Sequence, residues 1–154
     1  MRGYYTASFK VSAATQAQTL VYITATTGKP VELVSTSVTN CTNETNEQME
    51  TKWSNISSLG TPTANTITPT KMNQNDSSAS CTVKGPVTGS EPTYASGPAL
   101  DHGYKGWPSL AGYEYEPPPD ARPVIGSAAS WGLRLLNAPT SLDLVVNVVF
   151  REFD

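Results

Sequence analysis

The chain has 154 residues, a formal net charge of -3 and only 15% charged residues, against a usual ~25%. That length suits one domain with one core. The mild acidity and singly scattered Lys and Arg argue against nucleic acid as the main partner, since phosphate binding needs clustered basic residues, and no run of 18 apolar residues suggests a membrane span.

The first forty residues read as three strands. "ASFKVSAA" sets Phe9 and Val11 against Ser8, Lys10 and Ser12. "QTLVYITAT" sets Leu20, Tyr22 and Thr24 against Val21, Ile23 and Ala25, and "TGKP" then signals a turn. "PVELVSTSVTN" sets Val31, Leu33, Ser35 and Ser37 against Glu32, Val34, Thr36 and Val38. "MRGYYTASFK" has no apolar segment of the kind that opens a secretory signal. Its residues 1–10 are expected to form an N-terminal arm.

Residues 41–119 read as a loop-rich excursion with short strands. "METKWSNISSL" is taken as a strand because β-branched and aromatic residues suit a pleated surface. Ten of the twelve prolines follow between 60 and 123, a density that helices do not survive. Short strands are expected at "NTITP", "SASCTVKG" and "GYEYEP", with a weaker helical signal at "NQNDSSAS". So long an irregular region usually carries function or contacts something.

"SWGLRLLN" and "LDLVVNVVFREF" close the chain and read as a hairpin joined by "APTS". The last strand has two apolar faces. Leu142, Leu144, Val146, Val148 and Phe150 form one, and Val145 and Val149 interrupt the polar residues of the other. A half-buried strand alternates more cleanly. The second face is therefore expected to lie under the Pro-rich excursion or against a sister subunit. Six to nine short strands with long connections give an all-β fold: a single-domain β-sandwich over 1–154, jelly-roll-like, with long Pro/Gly-rich loops.

Reactive residues do not assemble into a catalytic pattern. His102 is the lone imidazole, in a Gly-flanked loop, and its neighbour Asp101 does not orient it by adjacency alone. Glu114 and Glu116 alternate with Tyr113 and Tyr115 and would share one face of a strand. That is the makings of a sugar site beside Trp107, or simply an edge blunted by charge and by Pro117, Pro118 and Pro119. Cys41 and Cys81 read as unpaired thiols, with a disulfide stapling that region as the lesser reading, and two Cys with one His lack a zinc spacing. Sequons begin at Asn40, Asn43, Asn55 and Asn75, but several arise by chance in a chain so rich in Asn, Ser and Thr. Trp131, in an alternating strand, reads as core, and Trp107, between Gly and Pro, as equally suited to an interface. The expectation is a binding or assembly protein, with no enzymatic activity and no cofactor.

Four stretches in order carry a resemblance: "YYTASFKVSAATQAQTLVYITATTGKPVELVSTSVTN", "ITPTKMNQNDSSASCTV", "GWPSLAGYEYEPPPDARPVIG" and "SWGLRLLNAPTSLDLVVNVVFREF". In this order the chain resembles the small jelly-roll decoration, or cement, proteins on the heads of tailed bacteriophages. It departs from them in its Thr/Ser/Asn-rich region between about 40 and 100. The resemblance implies a homotrimer on the outer capsid surface, made in the host bacterial cytoplasm, that clamps neighbouring major capsid protein subunits, without nucleic acid or membrane partners. Interface candidates are Tyr4, Tyr5, Phe9, Trp107, Tyr113, Tyr115, Val145 and Val149. Shell contacts are expected from Arg2 to Phe9 and from residues 101–119. The alternative is a carbohydrate- or receptor-binding jelly-roll module of a phage fibre, carried by Glu114, Glu116, Tyr113, Tyr115 and Trp107.

Overall fold

A computed structural model describes residues 3–42, 46–97 and 101–154. Arg2 and the sequon residue Asn43 lie outside them. Thirteen strands form two antiparallel sheets packed face to face. The long ones are β1 (Tyr4–Ala14), β2 (Gln18–Thr24), β3 (Val31–Asn40), β4 (Gln48–Ser58), β9 (Asp101–Pro108), β12 (Ser130–Leu135) and β13 (Leu142–Glu152). The short ones are β5 (Ala64–Ile67), β6 (Thr70–Lys71), β7 (Thr82–Val87), β8 (Thr93–Tyr94), β10 (Tyr113–Tyr115) and β11 (Val124–Ile125).

Pairing runs from the outside of the chain inwards. β1 pairs with β13, β2 with β12, β3 with β10, and β4 with β9. A long hairpin paired in this way and rolled over itself gives sheet A in the order β10-β3-β13-β1 and sheet B with β2-β12-β4-β9. That is the jelly-roll arrangement, as the strand pattern led us to expect. β11 adds to β3 in sheet A.

Residues 59–97 form an insertion between β4 and β9. β6 extends sheet A beside β1, while β7 and β5 extend sheet B beside β2. The insertion thus covers both sheet edges on one flank, where unpaired backbone groups would otherwise invite foreign strands. Between β6 and β7 the chain crosses the end of the sandwich. It is pinned there from the inner face of sheet A, by Tyr5 Oη donating to Ser77 O at 2.8 Å and by the fully buried Glu152 carboxylate. That carboxylate accepts from the Ser80 and Cys81 N–H groups at 2.9 and 2.6 Å. Residues 73–76 make turns, not the weakly signalled helix.

The inner faces supply one core. It includes Tyr5, Val11, Val21, Ile23, Leu33, Trp53, Leu133, Leu144, Val146, Val148 and Phe150, each large side chain contributing about 1.5–3 kcal/mol by leaving water. A second cluster of Tyr22, Ile56 and Val87 lies apart from it. After β7 the chain runs as a strap over the outer face of sheet B to β8, which pairs with β4 at Ile56 and Ser58. The Tyr94 ring lies over Gly132, where an added Cβ would overlap its hydroxyl. Hence Gln18 to Ile23 are buried on both sides of β2, while β13 alternates strictly between buried and half-buried residues.

Four expectations need correction. Residues 4–10 belong to β1, inside sheet A, and form no arm, because each of them pairs with a β13 residue. The excursion covers sheet B and leaves the second face of β13 uncovered. β12 and β13 do not form a hairpin: they sit in different sheets. Their connection crosses the sandwich, tied to β4 by Asn137 Oδ1 accepting from Glu50 N at 2.8 Å and to Glu47 by Thr140 N at 3.0 Å. Finally, a register shift opposite Val149 and Phe150 leaves Thr36 and Val38 buried in the same strand as Val31 and Leu33, so the two predicted faces of β3 exchange midway.

Candidate functional site

The outer face of sheet A is the open surface. Its residues follow from strand register, since directly paired residues share a face. One row runs Tyr4–Arg151–Glu32–Val124, and the next Thr70–Thr6–Val149–Ser35. A third runs Ser8–Asn147–Ser37–Glu114, and a fourth Lys10–Val145–Thr39. Seven of these fifteen are Ser, Thr or Asn, so much of the surface is low and flat. Fifteen residues, each taking about 4.8 Å across the strands and about 6.8 Å along them, make roughly 500 Å². A stable interface takes about 800 Å² from each partner.

Local bonding holds these side chains in place. Thr6 and Ser8 hydroxyls both donate to Asn147 Oδ1 at 2.8 Å. Lys10 pairs with Asp143 at 2.7 Å, an exposed pair that lowers the carboxyl and raises the ammonium pKa. At the other end, Glu32 accepts from Arg151 at 3.0 Å and lies 3.6 Å from Arg122. The Arg151 guanidinium stands 4.5 Å from the Phe153 ring and 5.7 Å from that of Tyr4. Met72, whose N–H donates to Tyr4 O at 2.9 Å, is exposed beside it, as is Val124 across the row. Among the described residues, three of the five exposed large hydrophobics (Tyr4, Met72 and Val124) therefore gather at one end of sheet A. The other two, Tyr104 and Leu110, lie in and just after β9 on the opposite flank.

The predicted interface residues divide. Tyr4, Val145 and Val149 lie on the open face. Tyr5, Trp107 and Tyr113 do not: they are buried in the core, so a partner cannot reach them. Tyr5 stacks on Phe150 with ring centres 5.6 Å apart, Trp107 donates to Thr51 Oγ1 at 2.9 Å, and Tyr113 donates to Gly103 O at 2.6 Å. Phe9 and Tyr115 are half-buried against that core.

The Glu114/Glu116 pair loses its aromatic partners in consequence. Both carboxylates are exposed on or beside β10, an edge strand of sheet A, ahead of the three prolines. His102 is half-buried, not a free surface side chain. Its ring stacks on Trp131 at 4.7 Å, and that burial lowers its pKa while Asp101 opposes the shift. Asp101 itself is engaged by Lys52 at 2.7 Å and Ser54 at 2.6 Å. Cys41 is exposed and Cys81 buried, both free, and burial pushes the Cys81 thiol well above its ordinary pKa. Among the described residues no group of three His, Cys, Asp or Glu side chains is placed to hold a metal ion.

The sequence reading missed Met72 and Val124. Each follows a proline-bounded stretch with weak strand signal, and only pairing to β1 and β3 brings them to one face. No family model, curated protein or solved structure matches the chain.

Proposed function

We propose that this protein is a structural, non-enzymatic component of a tailed-phage virion that decorates and stabilises the capsid exterior. In this reading it forms a homotrimer, and each copy lays the outer face of sheet A against a different patch of the next, a head-to-tail contact that closes at three. The observation carrying the proposal is that face itself. It is flat, bears Val145, Val149 and Tyr4 among Ser, Thr and Asn and four charged residues (Lys10, Glu32, Glu114 and Arg151), and offers about three-fifths of the area that a stable contact needs. The exposed Tyr104 and Leu110 on the β9 flank are then available to the major capsid protein. Many copies on one shell act by avidity, so each contact can be weak. The ordered sequence resemblance to cement proteins supplies the capsid as the partner.

The test is mass measurement at micromolar concentration, followed by co-sedimentation with expanded shells. The expected result is a trimer that binds shells, with shells lacking it breaking at lower temperature. Val149→Lys should melt like the parent but run as a monomer. A parent protein that stays monomeric and never binds shells would overturn the proposal.

A further inference from the structure

A cavity of about 130 Å³ opens where the strap leaves the outer face of sheet B, lined by Gln18, Glu91, Tyr94 and Arg134 among others. The Arg134 guanidinium lies 4.1 Å from the centre of the Tyr94 ring. Tyr94 is itself fixed, by its seat over Gly132 and by a 2.6 Å hydrogen bond to Thr19 Oγ1. Among the described residues Arg134 has no ion pair and no hydrogen bond. Lys52, its cross-strand neighbour, is already engaged with Asp101.

Glu91 also lines the cavity and is exposed. Its carboxylate accepts from Thr19 N at 3.0 and 3.1 Å and from Thr19 Oγ1, which fixes its position, yet no cation pairs with it among the described residues. The largely buried Gln18 accepts at Oε1 from the Gln16 amide. One small cavity is therefore lined by a guanidinium and a carboxylate that, among the described residues, form no ion pair with each other.

We infer that this cavity binds a small zwitterion of the α-amino-acid class, with the ligand carboxylate on Arg134 and its ammonium on Glu91. A guanidinium backed by an aromatic ring presents its forked N–H edge to a carboxylate. A ligand with a carboxylate alone would satisfy Arg134 but set its own negative charge beside Glu91, a like-charge contact that costs affinity. A ligand with an ammonium alone would meet the same penalty beside Arg134. The volume is somewhat below that of a cavity that takes benzene, ~150 Å³, which limits the side chain to a few atoms.

The test is amide-resolved NMR titration of the full chain with glycine, L-alanine and L-serine, against acetate, methylammonium and glucose. Saturable shifts at Thr19, Glu91 and Arg134 with the amino acids, and at least tenfold weaker binding of both half-ligands, are expected. Arg134→Gln and Glu91→Gln should each weaken amino-acid binding at least tenfold, with melting curves showing that both variants are folded. No saturable shift with any amino acid, or acetate binding as tightly as alanine, would overturn the inference. So would unchanged affinity in a folded Arg134→Gln variant.

Discussion

The indole N–H of Trp53 donates to Thr36 Oγ1 at 3.0 Å, and both residues are buried. Trp53 belongs to β4 in sheet B and Thr36 to β3 in sheet A. This hydrogen bond thus spans the apolar interior between the two layers. It also explains why a polar residue sits on the inner face of β3.

Thr36→Val keeps the shape of that side chain and removes the acceptor. A buried donor left without a partner costs about 1–3 kcal/mol. Urea denaturation should show a lower midpoint at unchanged slope. A loss below about 0.5 kcal/mol, the scatter of ordinary surface substitutions, would mean that Trp53 finds another acceptor.

Gly132→Ala places a methyl group where the Tyr94 hydroxyl lies. The flexible strap should yield before the paired strand does, at a cost of about 1–3 kcal/mol. Limited proteolysis should then cut within residues 88–97, which the parent protects. Combining Gly132→Ala with Tyr94→Ala should cost less than the sum of the two, because the overlap is gone. Full additivity would count against the seat over Gly132.

Stability should fall on the alkaline side in two steps. Burial raises the Cys81 thiol well above its ordinary value and the Tyr94 hydroxyl up to about 12. Both are neutral in the fold and ionise earlier in the unfolded chain, near about 8.5 and about 10. The unfolded chain then binds fewer protons, so stability is fully present below those values and is lost as pH rises. The Tyr94 contribution is lost between about pH 10 and about pH 12. Tyr94→Phe should flatten the slope of unfolding free energy in that window, and Cys81→Ala the slope from about pH 8.5 upwards. Identical slopes in parent and variants would refute the assignment.

Glu32→Gln leaves Arg122 and Arg151 facing each other without their shared carboxylate. Breaking a fully buried pair costs 3–5 kcal/mol. Both guanidinium side chains keep about a fifth of their exposure, so a loss of about 2 kcal/mol is expected here. Calorimetry should show part of it restored by adding Arg122→Gln. No recovery would mean that the glutamate acts by packing and not by charge.

Much of the architecture was legible because alternation fixes strands locally. β1 to β3, β12 and β13 fall where Val, Ile, Leu and Phe recur at every second residue. β9 was missed because Asp101–Pro108 contains two glycines and little apolar alternation. It is a strand because β4 offers it an edge.

Sheet membership was harder to read, since alternation shows that a strand has an inner face but not which layer holds it. "APTS" looks like a hairpin turn, and only the ties from Asn137 to Glu50 and from Thr140 to Glu47 show that the connection crosses the sandwich. Trp107 reads equally well as core or interface until Thr51 is placed beside its N–H. Arg134 was visible as an outward residue of β12, but nothing near it announced that Tyr94 and Glu91 would arrive from forty residues earlier.

The outside-in pairing also sets an order of assembly. β1 is made first, yet its long partner β13 is made last. Until β13 leaves the ribosome, β1 and β3 have the centre of sheet A vacant between them, and their ladder groups there must be met by water or by a chaperone. Such long-range closure is slow and leaves strand edges exposed to aggregation meanwhile. Translation speed over residues 101–154 should therefore weigh more on the yield of folded protein than translation speed anywhere earlier.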